Sequence, residues 1–128
     1  MLRRFLLYHL PALAYAALII GLSSLRDVRL PRVQFLAIDK VAHFMEYVIF
    51  AWLVFRSARH IHPAVNTDDA AFLTLGFVTV FAFGDEFYQG YIPGRQSDPF
   101  DFLTDVAAGL AAVVAIRFLR QHTRKITA

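Results

Sequence analysis

The 128-residue sequence contains no cysteine, which excludes disulfides, thiolate metal sites and a cysteine nucleophile. It is also short of charge. Asp, Glu, Lys and Arg make up 18% of the chain, where a soluble domain carries roughly 25% to cover its surface. Nucleic-acid-binding signatures, basic heptads, internal repeats and low-complexity segments are missing as well, so no nucleic-acid partner is expected and 1–128 reads as one domain. No serine-centred nucleophile motif occurs, and Ser97 lies in a turn-like stretch without supporting pattern.

What fills the space is apolar. Hydrophobic residues account for 58% of the sequence and the mean hydropathy is +0.50. They gather in four blocks, at about 5–22, 40–56, 69–88 and 100–119, each near the ~20 residues that cross a bilayer as helix. The expectation is an all-α integral membrane bundle of four transmembrane helices. Arg3 and Arg4 before the first block imitate a signal peptide, but Ala14-Tyr15-Ala16 lies inside the apolar run rather than after it, so an uncleaved helix is expected. His9 and Pro11 are tolerable near a helix end. The second and third blocks are short, so their polar ends must face protein and water or thinned lipid. Asp68 and Asp69 suit a helix N-terminus, and Ala and Gly over 106–116 let a neighbouring helix approach closely. The connections are brief: 23–39 with Pro31, 57–67 with His60, His62 and Pro63, and 90–99 with the turn dipeptide Pro93-Gly94.

With four spans, Arg3, Arg4, Arg56, Arg59, Arg117, Arg120, Arg124 and Lys125 share one side, against Arg26, Arg29, Arg32, Lys40 and Arg95 on the other. The expectation is a multi-pass chain of the bacterial cytoplasmic (inner) membrane, and the positive-inside rule then places both termini in the cytoplasm. The acids are more lopsided: only Asp68 and Asp69 fall inside.

Three helix ends meet at that outer boundary and carry ionisable groups into the apolar layer. Asp39, His43, Glu46 and Tyr47 recur at spacings of three and four and share a helix face. Asp85 and Gln89 lie one turn apart beside Glu86, and Asp101 and Asp105 lie one turn apart with Gly109 continuing the stripe. Charge at this depth costs several kcal/mol unless paired or hydrated, which makes a functional site the default reading. The architectural alternative pairs Lys40 and Arg95 with Asp85, Asp101 or Asp39 simply to hold the bundle together. Asp27 and Asp98 read as solvated loop charges.

These residues resemble the VanZ-like family of small bacterial membrane proteins. The pattern stands here as Asp39-Lys40-x-x-His43-Phe44-x-x-Tyr47, then Asp85-Glu86-x-x-Gln89-x-x-x-Pro93-Gly94-Arg95, then Asp101, Asp105 and Gly109. It covers about 39–119. Glu46 departs from it, where a small or apolar residue is expected. The resemblance implies a four-helix membrane protein, in a family named for a member linked to low-level teicoplanin resistance, and implies no agreed reaction.

Three functions remain open on the residues. The first is binding of an anionic lipid or lipid-linked cell-wall intermediate at the outer leaflet. There Arg95 and Lys40 meet phosphate, and Tyr47, Gln89, Asp101 and Asp105 complete the head-group site. The second is an intramembrane enzyme, with His43 as general acid or base oriented by Asp39 or Glu46. Asp85, Glu86, Asp101 and Asp105 could then hold a hard divalent cation; zinc is not expected, because His43 is the only histidine on the outer side. The third is an oligomeric transporter or a scaffold subunit, since four helices alone form too thin a pathway.

Overall fold

A computed structural model describes residues 1–25, 32–95 and 97–126, with the backbone alone for 32–39 and 123–126. Among them are four long helices and no strand. They are α1 Leu2–Ser23, α2 Arg32–Ala58, α3 Thr67–Gln89 and α4 Pro99–Ile126. All four are long and apolar enough to cross a membrane. Asp27 and Pro31 lie outside the described residues, as do the side chains of Asp39, Arg124 and Lys125.

Helix ends extend past the apolar blocks. α2 begins at Arg32 rather than 40, and α4 runs to Ile126 rather than 119. Hydropathy marks only the part of a helix that lipid touches; polar helix formers such as Arg117, Arg120 and Gln121 carry the backbone pattern onward. α1 starts at Leu2 and contains a single wide turn of π-helix over Phe5–His9. α3 begins with a capping box: the Asn66 side chain accepts from the Asp68 and Asp69 amides, and Asp69 accepts from the Asn66 amide.

The helices pack with small residues at their contacts. Ala70, Ala71, Ala82, Ala108 and Ala112 are buried, and a Cβ built on Gly109 would lie 3.0 Å from Val78 Cγ1. α3 and α4 therefore approach as closely as glycine permits. An aromatic cluster fills the middle, with Tyr47 edge-on to Phe50 and Phe50 against Phe81 at 4.7 Å between ring centres.

Polarity is inverted relative to a soluble protein. Phe72 is 79% exposed and Val80 72%, while Asp85 is 2% and Asp105 0% exposed. Apolar side chains turned outward and carboxylates turned inward are what a lipid solvent demands. The buried acids all lie at one end of the bundle, the polar end, where α1 stops and α4 starts. The opposite, basic end carries Arg3, Arg4, Arg56, Arg59, Arg117 and Arg120 against Asp68 and Asp69.

Candidate functional site at the polar end

Each helix brings its polar residues to the site for a local reason. On α2, Lys40, His43 and Tyr47 follow one another at three and four residues and so line one face. On α3, Asp85 and Gln89 are one turn apart, and the Gln89 amide donates to Asp85 Oδ2 at 3.1 Å. On α4, Asp101 and Asp105 are one turn apart and both buried. The loop between α3 and α4 is fixed by a tight turn in which the Arg95 amide donates to the Ile92 carbonyl at 3.0 Å. Pro93 and Gly94 are its central residues, and Gly94 has φ +93°, the positive value that the third residue of a type II turn requires.

The innermost layer joins helices through buried polar contacts. His43 Nδ1 lies 3.2 Å from Asp105 Oδ1, within hydrogen-bond reach. The Tyr47 hydroxyl points to Asp85 Oδ2 at 3.5 Å, at the outer limit of a hydrogen bond. Gln89 also donates to Ser23 Oγ at 3.2 Å, which ties the end of α1 to α3. Three carboxylate oxygens in this layer, Asp85 Oδ1, Glu86 Oε1 and Asp105 Oδ2, are buried and make no hydrogen bond among the described residues.

The rim holds the cations, and both are engaged. Lys40 Nζ bridges Asp98 Oδ2 at 2.7 Å and Asp101 Oδ1. Arg95 Nη1 donates to the Ser23 carbonyl at 3.0 Å. Glu86 Oε2 accepts from the Ser97 hydroxyl at 2.9 Å and the Asp98 amide at 2.8 Å, pinning the loop to α3. Half-buried Glu46 lies near His43, Asp85 and Arg95.

Asp98 corrects the reading of it as a solvated loop charge. Its Oδ1 accepts from the Phe100 amide at 2.9 Å, so it caps the N-terminus of α4, and Oδ2 takes the Lys40 ammonium. The Lys40 ammonium, helped by the Phe100 N–H, holds its carboxyl below the usual range. The sequence signal was available: an Asp immediately before a proline that opens an apolar run is an N-cap followed by Pro at N1.

The structure thus brings Lys40, His43, Tyr47, Asp85, Glu86, Gln89, Asp101 and Asp105 into one connected region, with Arg95 at its edge. Asp39 is outside the described side chains. The carboxylates proposed as a cation site are spread among different partners; among the described residues no three of His, Asp and Glu converge on a point that could hold a metal ion. Ser23 was not foreseen in the site. A serine ending an apolar block carries no signal of its own, and only the packing of α1 shows that its backbone and side chain meet Arg95 and Gln89.

Comparison with protein families agrees with the pattern read from the residues. A family model described as VanZ/LLP1 matches residues 5–120. Comparison with curated proteins and with solved structures gives no match.

Proposed function

The chain belongs to the VanZ/LLP1 family, and on that premise we propose that it is an envelope membrane protein whose polar end takes up the head group of an outer-leaflet lipid, best a lipid-linked cell-wall intermediate. The observation that carries this reading is the set of three orphaned oxygens on Asp85, Glu86 and Asp105. Each costs roughly 1–3 kcal/mol unless a donor reaches it. Carboxyl oxygens accept hydrogen bonds from sugar hydroxyls or amides. The phosphate partners stand apart at the rim, on Lys40 and Arg95. A sugar joined to its lipid through phosphate offers both chemistries in one molecule.

Ser23 closes the site through its hydrogen bonds to Gln89 and Arg95. Moving the end of α1 aside frees the Gln89 amide and the planar Arg95 fork together, the second being suited to a phosphate oxygen pair. Holding such an intermediate changes what a lipid-tailed glycopeptide meets at the outer leaflet, which is where the family's link to teicoplanin applies.

The His43–Asp105 contact favours a second reading, an intramembrane enzyme in which His43 acts as general acid or base with Asp105 orienting it. The two readings separate on one experiment. Protein purified in mild detergent is assayed by mass spectrometry for retained lipid. Binding predicts a sugar-phosphate lipid that Arg95→Lys and Asp85→Asn release and His43→Ala retains. Catalysis predicts that His43→Ala instead accumulates a substrate that the native protein does not hold. Recovery of ordinary phospholipid alone from all of them contradicts both.

A further inference from the structure

At the basic end, away from the polar network, a second feature is built into the fold. α1, α2 and α3 together line a groove of about 640 Å³. Its walls are apolar, and small residues create it: Ala12 and Ala16 on α1, Gly76 on α3. A Cβ added to Gly76 meets nothing within 4 Å. From Phe72 to Val80 it runs about 12 Å along α3 at ~1.5 Å per residue, close to the ~15 Å depth of one leaflet's hydrocarbon.

One polar pair interrupts this apolar surface. His9 Nδ1 hydrogen-bonds Ser57 Oγ at 2.7 Å, and the His9 Nε2 makes no hydrogen bond among the described residues. The π-turn over Phe5–His9 ends on His9. An inserted residue turns the side-chain phase by roughly 100°, and π-turns of this kind concentrate at functional sites. Arg59 stands in the chain between the lining residues Ala58 and Ile61, and Arg3 and Arg4 precede His9 on α1; these three make no ion pair among the described residues, whereas Arg117 pairs with Asp68 at 2.8 Å.

From these features we propose that the groove is a binding site for one anionic glycerophospholipid of the leaflet at the basic end. An acyl chain lies along Gly76 and the linkage region rests against His9 and Ser57. The groove suits an acyl chain in its length and in its almost wholly apolar lining. The unpaired arginines select an anionic head group.

Brominated-lipid quenching of a single tryptophan tests it. The native tryptophan is removed by Trp52→Phe, and Leu73→Trp places a reporter on the groove wall. Val114→Trp places a control on the lipid-facing side of α4. Vesicles of phosphatidylcholine receive equal amounts of brominated phosphatidylglycerol or brominated phosphatidylcholine. The proposal predicts that phosphatidylglycerol quenches the groove reporter several-fold more efficiently, while the control responds equally to both. Gly76→Phe fills the groove and removes the preference with helical circular dichroism unchanged, and His9→Leu weakens it. Equal quenching of the groove reporter by both lipids overturns the proposal, as does a preference that survives Gly76→Phe. Protection of the reporter from both lipids also overturns it, because protein then covers the groove.

Discussion

His43 of α2 and Asp105 of α4 meet through Nδ1 and Oδ1 at 3.2 Å in a site where Asp105 is 0% exposed. The contact joins two helices that the sequence separates by 62 residues. Because the acid is sealed from water, it must have its partners from within the protein or from a ligand.

Removing one member strands the other. Asp105→Ala is expected to lower stability by about 1–3 kcal/mol. The double variant with His43→Ala should lose less than the two single losses combined, by about 0.6–2 kcal/mol, the range typical of interhelical hydrogen bonds in membranes. Thermal unfolding in detergent measures all four proteins. Strict additivity would show that the pair contributes nothing as a pair.

Lys40 separates two carboxylates, Asp98 and Asp101. Lys40→Met leaves them facing each other and is expected to cost about 1–3 kcal/mol, between a surface pair and a buried one. A pH dependence follows. The carboxyl of Asp98 lies below its ordinary value of 3.8 in the folded protein, so its contribution is complete above that value. It is lost as the pH falls through the lower folded value. Unfolding temperatures should therefore drop on acidification below about pH 4, and less steeply in Lys40→Met.

Close packing of α3 on α4 depends on Gly109. Gly109→Ala sets a methyl 3.0 Å from Val78 Cγ1, and overpacking of this kind costs about 1–3 kcal/mol. Val78→Ala in the same protein should recover most of that loss, read again by thermal unfolding. No rescue would mean that the glycine serves something other than helix approach.

At the basic end, Asn66 supplies the cap of α3. Asn66→Ala should destabilise by about 0.5–2 kcal/mol, while Asn66→Asp should be nearly neutral. Amide exchange in the first turn of α3 should rise in the alanine variant alone.

Much of the architecture is legible in the residues because lipid imposes a simple rule: long apolar blocks become spanning helices. Helix ends are less legible, since 32–39, where Arg32, Gln34 and Asp39 interrupt apolar residues, and the polar residues beyond 119 follow helix propensity rather than hydropathy. The depth of His43, Asp85 and Asp105 can be counted along their helices. Which atoms meet depends on how each helix is rotated about its own axis, and no local spacing records that. Arg95 illustrates the gap. Its guanidinium meets the Ser23 carbonyl because α1 packs over the polar end, a relationship between residues 72 positions apart. The groove at the basic end is likewise invisible in sequence, because it is defined by where Gly76 and Ala12 leave space between helices.

Whether the Lys40–Asp105 network reads an outer-leaflet head group rests first on which way that end of the bundle faces. The native lack of cysteine makes the measurement clean. Ser97→Cys lies at the polar end and His60→Cys at the basic end, and intact cells are treated with a membrane-impermeant maleimide. The expected result is labelling at position 97 and none at position 60 until the membrane is opened. Labelling at position 60 with position 97 protected would put the polar end in the cytoplasm and remove the outer-leaflet lipid as its ligand.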